Sequence, residues 1–173
     1  MLRTTLALLF SVALFSQAAY AETTVTLTKM HLCCGKCVKA VEAAVKDMPG
    51  VKVDVTAKEG KTVLTAADDK SAQAALDAIA KAGFHAETDS EELKMKDDSG
   101  VKAGAVKRLA LTGLHNCCGA CTKSIKEAVA TVDGVKADTA KPNESSMVIE
   151  GNFDAAEVVE ALLAAGFHVK VKQ

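Results

Sequence analysis

The chain is written twice, and that repetition constrains its architecture more than any other feature. Met30-His31-Leu32-Cys33-Cys34-Gly35-Lys36-Cys37 returns as Leu114-His115-Asn116-Cys117-Cys118-Gly119-Ala120-Cys121, an offset of 84. Pro49-Gly50-Val51-Lys52 returns as Asp133-Gly134-Val135-Lys136 at the same offset. Ala82-Gly83-Phe84-His85 returns as Ala165-Gly166-Phe167-His168, now offset by 83. Two modules follow from this, their lengths differing by one residue that we assign to a surface loop.

Hydrophobic spacing gives both copies one element order. Val25 and Leu27 alternate with threonines, which predicts a strand before the cysteines. Val38, Val41, Val45 and Met48 then recur at three and four, one face of a helix stopped by Pro49-Gly50. Val51, Val53 and Val55 alternate as a strand, Glu59-Gly60 turns, and residues 62–65 return. Leu76, Ile79 and Ala80 mark a second helix ending at Gly83, with a last strand from about His85. In the second copy Leu109 and Leu111 open. Ile125, Ala128, Val129 and Val132 line the first helix, and residues 135–138 pair with 146–150. An Asp154-x-x-Glu157 capping pattern begins the final helix, and Val169 and Val171 close the module. Each copy is thus βαββαβ, so the predicted fold class is α+β, two tandem ferredoxin-like modules with two helices on one face of each antiparallel sheet.

The expected boundaries are a signal peptide at 1–21, module one at 22–89, a charged linker at 90–104 and module two at 105–173. The first segment has one positive charge (Arg3), an apolar run from Leu6 to Phe15 and a small-x-small ending at Ala19-Tyr20-Ala21. That order of parts predicts cleavage after Ala21 and a periplasmic or secreted protein. The run is too short and too interrupted by serines to read as a spanning helix, so no membrane association is expected after cleavage. The linker is rich in Asp, Glu, Lys and Ser and is read as a solvated tether, with Met95 as surface filler. A net charge of −1 with no basic stripe excludes nucleic acid as an expected partner, and 3% aromatic content makes ligand stacking improbable.

All six cysteines and all four histidines occupy positions present in both copies: His31, Cys33, Cys34, Cys37 and His85, then His115, Cys117, Cys118, Cys121 and His168. Cysteines serving only as packing would be scattered. Two thiols separated by two residues at a loop-to-helix junction can converge on one ion. The positive end of the helix favours their thiolates, and soft thiolates select soft ions. Cys33 and Cys117 read either as third ligands or as small buried hydrophobes. His31 and His115 continue the odd-numbered, core-facing alternation of their strands, so each reads as a satisfied loop histidine or a ligand. His85 and His168 fall at the cysteine end of each module and either ligate or point outward.

These residues carry a family resemblance. A strand, Cys-x-x-Cys at a helix start, the βαββαβ order and a Gly-aromatic pair before the last strand resemble the heavy-metal-associated domain. Copper chaperones and periplasmic mercury-binding proteins share that domain. The resemblance implies Cys34 with Cys37 and Cys118 with Cys121 as metal-binding pairs, and Phe84 and Phe167 as aromatics shielding the metal loops. It differs at His31-Leu32 and His115-Asn116, where the family usually has Gly-Met, and in the extra Cys33 and Cys117. Cu(I) is the expected ion, with Zn(II) and Hg(II) as alternatives, and another metal-carrying protein is the expected partner besides the ion. The leading reading is a non-catalytic protein that sequesters or transfers Cu(I). A thiol–disulfide redox protein using the Cys-x-x-Cys pairs competes with it, as does a module in which one ion bridges the two loops.

Overall fold

The computed structural model describes residues 22–172; the signal-peptide reading of 1–21 falls outside them. Module one runs β1 (Thr23–Thr28), α1 (Gly35–Val45), β2 (Lys52–Thr56), β3 (Lys61–Ala66), α2 (Asp69–Lys81) and β4 (Glu87–Thr88). Module two runs β5 (Ala105–Thr112), α3 (Gly119–Ala130), β6 (Val135–Asp138), β7 (Ser146–Asp154), α4 (Ala155–Ala164) and β8 (Lys170–Val171). The sheets have the orders β2-β3-β1-β4 and β6-β7-β5-β8, every pairing antiparallel. The expected α+β architecture of two βαββαβ modules is therefore present.

Local chemistry accounts for the elements. Val25 and Leu27 are fully buried on β1 while the threonines between them face away, the period of two expected of a half-covered sheet. Cys37, Val41 and Val45 form the buried stripe of α1 at steps of four. Asp68 caps α2 by accepting the Ser71 N–H at 2.7 Å, and Asp154 caps α4 by accepting the Ala156 N–H at 2.8 Å. The one-residue difference between the copies does not sit in a loop. The offset is 85 where Leu64 and Ile149 face the first strands, 86 at the Asp68 and Asp154 caps, and 83 again at Gly83 and Gly166. Module two lengthens its hairpin and its last long strand, then shortens the following helix from 13 residues to 10.

One expectation fails at the end of the first strand. Lys29 and its counterpart Gly113 take positive φ, 60° and 84°, and break the alternation there. Met30 and Leu114 consequently turn into the cores. His31 and His115, expected to face their own cores, are rotated toward the opposite module.

The modules dock on each other through the repeated Gly-Phe-His. Phe84 and Phe167 form an antiparallel bridge. The His85 N–H donates to the Gly166 carbonyl at 3.0 Å, and the His168 N–H donates to the Gly83 carbonyl at 3.1 Å. Neither glycine has room for a side chain. A Cβ on Gly83 would run into the backbone of Gly113, Leu114 and His115, and one on Gly166 into that of Lys29, Met30 and His31. Each module's last loop is thus pressed against the segment that leads into the other's cysteine loop.

The linker is held down, contrary to its reading as a solvated tether. Lys94 O accepts from Gln73 Nε2 at 3.0 Å, and Met95 is buried rather than surface filler. Asp98 bonds His168 Nε2 at 2.6 Å and accepts from Lys170 Nζ at 2.8 Å. The Val171 N–H donates to Ser99 O at 2.8 Å, and the Gly104 N–H to Asp154 Oδ2 at 2.9 Å. The linker's few apolar residues pack inward, Met95 buried and Leu93 and Val101 half-buried against the core. Its backbone and carboxylates find partners on both modules as well, which composition cannot report.

Two stability outcomes follow. Ile125→Ala, which empties a fully buried position of α3, is expected to cost about 2–5 kcal/mol in urea unfolding, whereas exposed Lys39→Ala should stay within about 0.5 kcal/mol. Gly83→Ala combines an unfavourable φ of 90° with the backbone collision and is expected to cost at least about 1–2 kcal/mol. Hydrogen exchange should rise at the His85 and His168 amides; unchanged protection there would contradict the docked arrangement.

Candidate metal centre

The loops after β1 and β5 each deliver three sulfurs to the start of a helix. Cys34 and Cys118 are the N-cap residues of α1 and α3, with extended backbones at φ −159° and −162°. Cys37 and Cys121 lie one turn inside and are fully buried. This placement divides the thiols electrostatically. First-turn N–H groups, those of Cys37 and then Lys36, hold the Cys34 thiol below its ordinary pKa. The Cys121 N–H, then the neighbouring Cys33 sulfur, bring Cys118 down to about 6. Desolvation pushes Cys33, Cys117 and Cys121 the other way.

All six thiols are free, and they form one group. Within module one, Cys33 and Cys34 lie 3.6 and 3.9 Å from Cys37. Within module two, Cys117 and Cys118 each lie 3.8 Å from Cys121. Contacts between modules are as short. Cys33 is 3.4 Å from Cys118 and 3.3 Å from Cys121, Cys34 is 3.7 Å from Cys117, and Cys37 is 3.7 Å from Cys117 and 4.0 Å from Cys121. The donors gather in threes: Cys33, Cys34 and Cys118; Cys34, Cys37 and Cys117; Cys117, Cys118 and Cys121; and His31 with Cys33 and Cys121. Cys33 and Cys117, undecided between ligand and hydrophobe in the sequence, both sit inside the group.

Each aromatic expected to shield its metal loop stacks instead on a histidine of the other module. Phe84 stacks on His115 with ring centroids 4.3 Å apart, and Phe167 stacks on His31 at 4.5 Å. Burial holds both imidazoles below their ordinary pKa, and the Nε2 of each is buried without a hydrogen-bond partner. His85 and His168 belong elsewhere. Their rings stack on each other at 5.9 Å, and His168 is tied to Asp98. They join none of the donor groups among the described residues.

Asn116, at a position where the family usually buries a methionine, is buried and paired. Its Nδ2 donates to Lys141 O at 2.8 Å, its Oδ1 accepts from Thr122 Oγ1 at 2.8 Å, and its carbonyl accepts the Asn143 N–H at 2.7 Å. In the sequence Gly83 and Gly166 read as helix stops and as the glycines of the Gly-aromatic pair. Their further role, letting one module's backbone approach the segment that leads into the other's cysteine loop, had no signal beyond the repetition of Gly-Phe-His.

Comparison with known proteins gives a family match in both copies. The heavy-metal-associated domain matches residues 25–85 and 114–168. A solution structure of the N-terminal soluble domains of Bacillus subtilis CopA is similar at 19% identity, covering 88% of this chain and 95% of that one, with a TM-score of 0.33.

The split in thiol acidity can be measured on the reduced, metal-free protein. The thiolate is the reacting species. Iodoacetamide modification of Cys118, followed by peptide mass spectrometry, should therefore rise with a midpoint near pH 6 and level off by pH 7. Cys33 and Cys117 should still be largely unmodified at pH 7 under the same exposure. A Cys118 midpoint at or above the ordinary thiol value would contradict the helix-end effect.

Proposed function

Because this chain belongs to the heavy-metal-associated domain family, we propose that it carries Cu(I) as cargo on its cysteine loops, sequestering the ion or passing it to another metal-carrying protein. The observation that carries this reading is the approach of six free thiols to within 3.3–4.0 Å of their neighbours. With metal–thiolate bonds of about 2.3 Å, two sulfurs on a linear ion stand about 4.6 Å apart, and three around a trigonal ion about 4.0 Å apart. The separations here are too short for a linear pair and lie in the range of three- or four-coordination, whose tetrahedral edge is about 3.8 Å. Linear Hg(II) fits them less well, and Zn(II) ordinarily closes a fourth ligand. Trigonal thiolate coordination suits Cu(I), a soft ion.

Five of the nine sulfur separations cross between modules, which favours an ion bridging both loops over two independent sites. Handover would proceed by ligand exchange. Cys33 is exposed, so a partner's thiolate can reach the metal from that side before a donor sulfur leaves. The residues 1–21 support a periplasmic or secreted setting for this work. There a bound metal would also keep the thiols from pairing as disulfides.

Reduced protein is expected to retain Cu(I) in competition with a colorimetric Cu(I) chelator and to prefer it to Zn(II). Replacing Cys34, Cys37, Cys118 and Cys121 together by serine should abolish retention while leaving the circular dichroism of the metal-free fold in place. Loss of Cu(I) by the wild-type protein to a weak chelator would overturn the reading.

A further inference from the structure

The number and arrangement of the sulfurs go beyond a single bridging ion. Four triangles of mutually close sulfurs share edges and corners. Cys34, Cys37 and Cys117 form the first, with sides of 3.7–3.9 Å. Cys37, Cys117 and Cys121 form the second at 3.7–4.0 Å. Cys33, Cys37 and Cys121 form the third at 3.3–4.0 Å. Cys33, Cys118 and Cys121 form the fourth at 3.3–3.8 Å. Every triangle except the first contains a pair already used by a neighbour, and every one draws on both modules.

We propose that the six cysteines build one polynuclear Cu(I)–thiolate cluster of four ions, shared by the two modules of a single chain. This rests on the Cu(I) reading above and adds nuclearity to it. The bonding closes: four trigonal Cu(I) ions need twelve Cu–S bonds, and the four triangles supply twelve, three each from Cys37 and Cys121, two each from Cys33 and Cys117, and one each from Cys34 and Cys118. Loading leaves all six sulfurs as thiolates, releases the protons of those that were still thiols and gives a cluster charge of −2. No electron is transferred.

The surroundings suit such a core. Cys37 and Cys121, each belonging to three of the four triangles, are fully buried. The His31–Phe167 and Phe84–His115 stacks cover the loops from the two sides. His31 stands beside Cys33 and Cys121 as a possible seventh donor, its Nε2 without a hydrogen-bond partner. Cys33 and Cys117 give the repeated Cys-Cys-Gly-x-Cys its purpose. A Cys-x-x-Cys pair alone serves one ion per module, and the additional sulfur of each copy makes bridging between modules possible.

The test is stepwise Cu(I) titration of the reduced full-length mature chain, read by native mass spectrometry and by copper X-ray absorption. The expected result is a monomer passing to a four-copper species with little of the intermediates, with Cu–Cu scattering in the absorption spectrum. Cys33→Ser/Cys117→Ser leaves both Cys-x-x-Cys pairs intact and should lose the four-copper species and the Cu–Cu scattering. Circular dichroism of the metal-free variant should be unchanged. Wild-type saturation at two Cu(I) without Cu–Cu scattering would overturn the cluster and leave the Cu(I) reading standing. Four copper ions found only in a dimer would overturn the single-chain arrangement. Failure to retain any Cu(I) would overturn both.

Discussion

The bridge between Phe84 and Phe167 is the constraint on which the rest depends. Two hydrogen bonds between the repeated Gly-Phe-His segments bring the last loop of each module against the segment that leads into the other's cysteine loop. The approach is possible because Gly83 and Gly166 carry no Cβ. Once the loops are this close, His31 has Phe167 to stack on and His115 has Phe84, and sulfurs of the two modules come within 3.3–4.0 Å of one another. Separate modules would hold two small sites. Docked ones hold a single six-sulfur group.

Helix geometry then sets the character of each sulfur. The first turns of α1 and α3 point unpaired N–H groups at Cys34 and Cys118, which favours their thiolates. Cys33 and Cys117 lie just outside the helices, and partial desolvation together with the neighbouring sulfurs pushes both thiols up. A soft cation supplies the missing positive charge. Binding such a cation would release the protons of the thiols still held protonated, so metal affinity and pH are linked at this group.

The linker contributes in a way its composition conceals. Asp98 draws His168 and Lys170 together, and Ser99 adds a backbone partner to β8. These bonds lie at the end of module two that carries the docking loop, so they steady the segment on which the bridge depends. A charged segment is easily read as a tether because its residues cannot form a core. Hydrogen bonding to existing modules requires no core.

Much was determined by the sequence alone. Periodicity, the Asp154 cap and the repeat were enough for two βαββαβ modules, because these signals act over a few residues and do not depend on distant packing. The placement of Cys34, Cys37, Cys118 and Cys121 at helix starts was equally local. Tertiary structure decided the rest. The positive φ of Lys29 and Gly113 rotated His31 and His115 out of their own cores, which strand alternation could not anticipate. That Cys33 and Cys117 sit inside the sulfur group depended on sulfurs 80 or more positions away. A repeat declares that two sites share a chemistry; only the docking of one backbone on the other makes them one site.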